Sequence, residues 1–388
     1  MRPIILTVFL SILAFSSCNS EHSKKPNSEA FPYRIDVEKN ISNLKAVPLS
    51  SIGNRLEYIA LETTTESMLA RALKIEITDS LIFVSDGAKI FEFDNNGRYV
   101  KKIGVQGRGP REYLTLCDFC IDGSSRRIYI LDEMALLVFD FEGKFIESSR
   151  LPFLSLSFTL KDKNNLIYYS TNLPGLTTDS VYSWFVSDCH GKNIIKYKNH
   201  HQRKNKGMAI GDSPLYLFEE SPRFMEFGSD TLLHFRNSKP DAYAIFALGN
   251  MKMETDLIIT RANSRDVFIN LKQKLWTRII SEDKTNIYTT LFWGHSDSSS
   301  KCVYNKITSE TFFLENNGFI NDLDEGLSFW PKYIYQDSIL VDQTDAFKLI
   351  KRIKEVKSSN KNPLITEQLE SLSKLLTDNS NPVLIVLK

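Results

Sequence analysis

From about residue 55 onward the chain alternates short apolar runs with polar turn signals. Leu81–Ser85, Ile90–Phe93 and Tyr99–Ile103 are three such runs, separated by Asp86-Gly87 and by Asp94-Asn-Asn-Gly97. β-Branched and aromatic residues suit a pleated, packed surface, and Asp-Gly or Asn-Gly supplies the positive φ of a tight hairpin, so the pattern predicts consecutive antiparallel strands. The unit returns as Asp118–Asp122, Ile128–Leu131, Leu136–Phe139 and Lys144–Ile146, with Asp140-Phe-Glu-Gly143 in the place of Asp94–Gly97, 46 positions later. Four strands repeating every 40–50 residues are the signature of a propeller blade.

Fainter copies follow. Leu166–Ser170, Tyr182–Val186 and the turn Asp188-Cys-His-Gly191 read as a third blade, and Phe224–Phe227, Thr231–Phe235 and Tyr243–Leu248 as a fourth. Ile287–Trp293, Cys302–Tyr304 and Thr311–Leu314 read as a fifth, and Phe329–Val341 with the last strand Val383–Leu387 as a sixth. A ring of sheets lacks free ends only when its first and last segments share a blade. Arg55–Leu61 and Val383–Leu387, both apolar and near the chain ends, are the expected closing pair. Three segments read as helices. Val267, Leu271, Leu275 and Ile279, flanked by Phe268, Trp276 and Ile280, recur every four residues; Ala346, Ile350, Ile353 and Val356 form a second stripe; and Asn362-Pro363 starts a third carrying Leu369, Leu372, Leu375 and Leu376. The expected fold is all-β, a six-bladed β-propeller with a few inserted α-helices packed on one face of the disc.

The first residues follow another logic. Arg2, the 12-residue apolar run Ile4–Phe15 and the small pair Ser16-Ser17 precede Cys18. This is the layout of a secretory signal, too short to span a bilayer as a helix. Phe15-Ser16-Ser17-Cys18 resembles a bacterial lipobox, with Phe15 where Leu is usual, which makes Cys18 the expected lipidated first residue of the mature chain. The expected division is a signal at 1–17, the lipidated cysteine and a polar, flexible tether at 18–50, and the propeller at 51–388.

Composition narrows the function. The chain has 388 residues with 48 Lys+Arg against 47 Asp+Glu, and removing residues 1–17 takes away only Arg2, leaving the charges balanced. A nucleic-acid partner is therefore not expected. Aromatics at 11%, with 25 Phe and 15 Tyr, exclude a disordered chain. Cys117, Cys120, Cys189 and Cys302 are too few for a disulfide framework. Cys117-Asp-Phe-Cys120 falls in a strand context, which is expected to place the two thiols on opposite faces and lacks the helix of a redox motif and the second pair of a zinc site. Buried free thiols are expected.

The stretch Asp79–Asp86, Phe93-Asp94, Gly97, Ile103-Gly-Val-Gln-Gly-Arg-Gly-Pro-Arg-Glu-Tyr113, Asp118-Phe119, Ile121-Asp122 and Tyr129–Asp132, with the ending Asn381–Leu387, resembles the six-bladed β-propeller lipoproteins of Bacteroides-type bacteria, related in shape to NHL-repeat propellers. The resemblance covers roughly residues 55–388. It implies the fold and a cell-envelope address, lipid-anchored and on the outer membrane, and brings no catalytic residues with it.

Candidate chemistry is sparse. Gly104-Val-Gln-Gly107-Arg-Gly109 has the wrong spacing for a dinucleotide loop and opens no helix, so it reads as a crossover between blades. The same loop carries Arg108, Arg111, Glu112 and Tyr113, the expected ligand-binding residues if it lines the mouth of the ring, since Arg with Tyr suits sugars and carboxylates. His200-His201 lies in a basic polar loop, His295 beside Asp297, and His234 within a strand. No His-Glu-x-x-His, EF-hand or Gly-x-Ser-x-Gly pattern occurs, and the acidic residues Glu219, Glu220, Asp322, Asp324 and Glu325 read as solvated loops. No metal, cofactor or catalytic residue is expected. The leading expectation is a lipid-anchored binding module for a glycan, a peptide or an envelope protein. The alternative is a lyase or hydrolase with its site in the channel. Convergent charged side chains at the channel mouth would favour the enzyme, and an aromatic, uncharged mouth the binder.

Overall fold

Six small sheets, each built on four antiparallel strands, form the six blades of a β-propeller. The computed structural model describes residues 31–170, 182–198, 214–254, 271–294, 298–359 and 367–388. The first strand of each blade is innermost: Lys74–Ile77, Asp118–Asp122, Ser157–Asp162, Leu215–Phe218, Leu275–Glu282 and Tyr333–Tyr335.

Each blade buries both faces, which explains why its middle strands read as unbroken apolar runs. Among the described residues the core is six apolar clusters, one per seam. Alternation along a strand feeds two seams at once: in Leu81–Ser85, Phe83 packs toward the second blade, while Ile82 and Val84 pack toward the sixth. The turns repeat as well. Asp94, Asp140 and Asp188 each accept a backbone N–H four residues on, at 2.9, 2.7 and 2.8 Å. Gly97, Gly143 and Gly191 then take φ of 82, 81 and 71°. At Gly97 space matters too, because a Cβ there would lie 2.2 Å from the Ala60 carbonyl oxygen in the outer strand of the sixth blade.

The ring closes as expected. Val383–Leu387 pairs antiparallel with Leu56–Ala60, and Lys388 and Arg55 extend the ladder. Asn381, buried, fastens the same corner: its amide donates to the carbonyls of Glu62 and Ser67 at 2.7 and 2.8 Å and accepts from Leu69 N–H at 2.9 Å.

Three expectations change. The polar composition up to residue 50 predicts a tether, yet Tyr33–Ile35 adds a parallel strand to the edge of the fourth blade and Leu44–Lys45 another to the fifth. Tyr33, Ile35 and Val37 are buried there. Edge pairing needs only a few inward-facing residues, so it leaves little trace in composition. The helix expected around Leu275 is instead the strand Leu275–Glu282. A bulge between Thr277 and Ile279 breaks the alternation, burying Leu275 and Ile280 and leaving Ile279 41% exposed, which mimics a helical spacing. Val267 and Phe268 lie outside the described residues. Cys117 precedes the strand Asp118–Asp122, so the opposite-face expectation fails: Cys117 and Cys120 pack against the same cluster between the second and third blades. Both are free thiols, as are Cys189 and Cys302.

Helix Ala346–Ser359 forms as its stripe predicts, burying Ala346, Leu349, Ile350, Ile353 and Val356. Helix Glu367–Leu375 buries Leu369 and leaves Leu375 exposed. Both cover the seam between the fifth and sixth blades. The cap at Asn362-Pro363 lies outside the described residues.

Candidate functional site

The loop Gly104–Tyr113 is a crossover between the first and second blades, and it divides the four expected ligand residues. Tyr113 is 1% exposed, wedged among Phe83, Ile90, Phe119 and Phe139, with its hydroxyl donating to the Ala88 carbonyl at 3.2 Å. Burial, and then Asp86, push its phenol up to about 12. Glu112 turns into the loop, where its carboxylate accepts Gly109 N–H at 2.8 Å and occupies the space beside Gly107. These two side chains hold the crossover together. Arg108 and Arg111 face solvent, and Arg111 sits 5.9 Å from the Phe145 ring centre.

The mouth of the ring, where the innermost strands begin, is charged. Lys74 donates to Asp118 at 2.8 Å and lies 3.4 Å from Glu76. The other Asp118 oxygen accepts Phe158 N–H at 2.9 Å, so one carboxylate ties the first three blades. Burial works to lower the Lys74 ammonium, but Asp118 and Glu76 outweigh it and hold the group above its ordinary value. Burial raises the Glu76 carboxyl, with Lys74 opposing. On the other side Gln336 donates to Asp79 at 2.8 Å and Tyr335 also donates to it, joining the sixth blade to the first. The charges of this mouth are engaged with one another across blades, and no histidine stands among them in the described residues.

A second cluster lies in the seam between the fourth and fifth blades, and no local pattern announces it. Glu282, 1% exposed, accepts Lys306 at 2.7 Å, Tyr216 hydroxyl at 2.8 Å and Tyr243 hydroxyl, with Arg223 Nε 3.8 Å away. Arg223 lies flat over Tyr243 at 4.1 Å, and Lys306 sits 4.1 Å from the Phe218 ring centre. Burial pushes the Lys306 ammonium down, against the pull of Glu282. Burial and Glu282 push both phenols up. The carboxylate of the fifth blade is engaged by Tyr216 and Tyr243 of the fourth and by Lys306, so this arrangement acts as a clamp between blades. Nearby His234 is kept below its ordinary value by burial and then by Arg223.

Other sequence candidates separate. Asp324 is buried, not solvated: it accepts Tyr58 hydroxyl at 2.8 Å, Asn321 amide at 2.7 Å and Gly326 N–H at 2.9 Å. Asp322 accepts Ser50 N–H at 2.9 Å. Cys18, His200, His201, His295 and Asp297 lie outside the described residues.

A family model described as a domain of unknown function (DUF4934) matches residues 32–388. Among solved structures, a Bacteroides fragilis protein described as exported superposes with a TM-score of 0.69 at 17% identity, over 92% of this chain and 99% of that one. A member of the DUF4221 family from Bacteroides vulgatus gives a TM-score of 0.47 at 12% identity, over 67% of this chain and 84% of that one. No curated protein matches the chain.

Proposed function

Since the chain belongs to the DUF4934 family, we propose that it is a cell-envelope lipoprotein whose propeller serves as a binding module for a glycan, a peptide or an envelope partner. The observation that carries the binding reading over the enzyme is that the charges at the mouth are paired with one another, Lys74 with Glu76 in its own strand and with Asp118 across the seam of the first and second blades. A charged mouth by itself would favour catalysis. Here the charges hold the blades together, and none is arranged as a nucleophile beside a base.

The envelope reading rests on the run Ile4–Phe15 before Cys18 and on the exported description of the B. fragilis protein. Cys18 would carry the lipid on the outer membrane, with the propeller facing the periplasm or the surface. Twelve residues, Asn19–Ala30, separate it from Phe31, a reach of at most about 43 Å. A Cys18→Ala variant should leave the membrane fraction, because acylation would be its strong membrane contact. A variant that is cleaved at the signal yet stays membrane-bound would overturn the anchor. Arrays of polysaccharides and peptides probed with residues 19–388 test the binding reading, and turnover of any captured ligand would replace it with the lyase or hydrolase alternative.

A further inference from the structure

The outermost strand of the sixth blade, Leu56–Ala60, is paired on one side only, with Val383–Leu387. Arg55 and Lys388 exchange both backbone bonds, and Leu61 N–H donates to the Pro382 carbonyl at 3.3 Å. An antiparallel ladder alternates, so Glu57 and Ile59 turn their peptide groups into the sheet, and Leu56, Tyr58 and Ala60 turn theirs out of it. Gly97 packs against the Ala60 carbonyl, and the Tyr58 carbonyl accepts the Gln368 amide at 3.2 Å. Among the described residues the Leu56 N–H and C=O and the Tyr58 N–H have no bond. They open into a groove of about 480 Å³, which Asn95 and Asn96 reach from the first blade and Gln368 from the helix over the fifth–sixth seam.

The two preceding blades show what such an edge accepts. On the fourth, Tyr33–Ile35 lies parallel with Arg34 opposite Ile245, and Ala247 N–H donates to the Ile35 carbonyl at 2.8 Å. On the fifth, Leu44–Lys45 lies parallel, and the N–H groups of Phe313 and Glu315 donate to the carbonyls of Asn43 and Lys45 at 3.0 and 3.2 Å. The added strands are three and two residues long. The open stretch of the sixth blade, from Leu56 to Tyr58, has the same length.

We propose that this edge takes up an extended peptide segment of a partner protein as a short parallel strand. Laid along the groove, the first residue of a tripeptide accepts Leu56 N–H with its carbonyl. The third donates its N–H to the Leu56 carbonyl and accepts Tyr58 N–H with its own carbonyl. Three bonds thus match the three open groups. The middle side chain lies on the face of Leu56, and the outer two lie on the face of Glu57. Glu57 is already paired with Lys388 at 2.7 Å and Arg55 at 2.9 Å, so recognition is by backbone and shape rather than by charge. This deepens the binding reading by naming a peptide as the ligand, and it rests on that reading for its biological use.

The test is amide hydrogen exchange on the full mature chain, resolved residue by residue. In the free protein Glu57 and Ile59 should exchange slowly and Leu56 and Tyr58 fast. The probe is acetyl-Phe-Pro-Tyr-Arg-Ile-Asp-Val-amide, a copy of Phe31–Val37, which includes the strand that the fourth blade carries. At about nine-tenths saturation it should slow Leu56 and Tyr58 roughly tenfold. The same peptide N-methylated at its Ile lacks the donor for the Leu56 carbonyl and should protect neither. In a folded Leu56→Pro variant, which loses the edge donor, affinity for the probe should fall roughly fivefold or more. No slowing of Leu56 and Tyr58 at millimolar peptide overturns the inference, and so does equal protection by both peptides. Slow exchange of these two amides in the free chain also overturns it: a second copy covers the edge if dilution restores fast exchange, and the chain itself covers it if dilution does not. After any of these failures a ligand found on the arrays would still support the binding reading, whereas strand addition with empty arrays would count against that reading alone.

Discussion

Removing residues 382–388 takes away the strand that closes the ring. Val383, Leu384, Ile385, Val386 and Leu387 are all buried, none more than 6% exposed. At about 1.5–3 kcal/mol per buried aliphatic side chain, the lost burial comes to roughly 8–15 kcal/mol. That equals the whole net stability of an ordinary domain, about 5–15 kcal/mol. The count leaves out the ladders on both sides, Leu340–Thr344 and Leu56–Ala60, whose edges would become unpaired. The truncated chain should therefore have no cooperative melt by far-UV circular dichroism and should aggregate. The single change Ile385→Ala, which keeps the backbone, should cost about 2–5 kcal/mol and lower the urea midpoint without changing its slope. A truncated protein that melts cooperatively within a few degrees of the full chain would refute the closure argument.

Two further tests concern the seams. Tyr113→Ala should cost about 3–5 kcal/mol and Tyr113→Phe, which loses one hydroxyl bond, only about 1 kcal/mol; urea titration separates them, and an unchanged Tyr113→Ala midpoint would return Tyr113 to the surface. Glu282→Gln leaves Lys306 and Arg223 as buried cations without their carboxylate and should cost about 3–5 kcal/mol, whereas Glu282→Gln with Lys306→Met should cost less than the two single changes summed. Additive losses in that double-mutant cycle would mean that the cluster is not an electrostatic unit.

Local pattern carried much of this architecture. The turn Asp94–Gly97 and its copies at Asp140 and Asp188 mark the blades because carboxylate and glycine act within four residues of chain. Strands such as Leu81–Ser85 are legible because both of their faces are buried, and the helix Ala346–Ser359 because its stripe lies on one element. The closing strand Val383–Leu387 could be named in advance because a ring imposes closure on whatever apolar segments end the chain. Tertiary structure decided the rest. The strands Tyr33–Ile35 and Leu44–Lys45 exist only because blade edges accept them, and their polar neighbours disguise them. The bulge after Thr277 turned a strand into an apparent helical stripe. Tyr113 and Arg111, two residues apart in one loop, part into core and solvent according to which side meets the second blade. Arg223, Glu282 and Lys306 are distant along the chain. Periodicity records how a residue sits on its own strand; a buried charge meets its partners only when strands distant along the chain fold together.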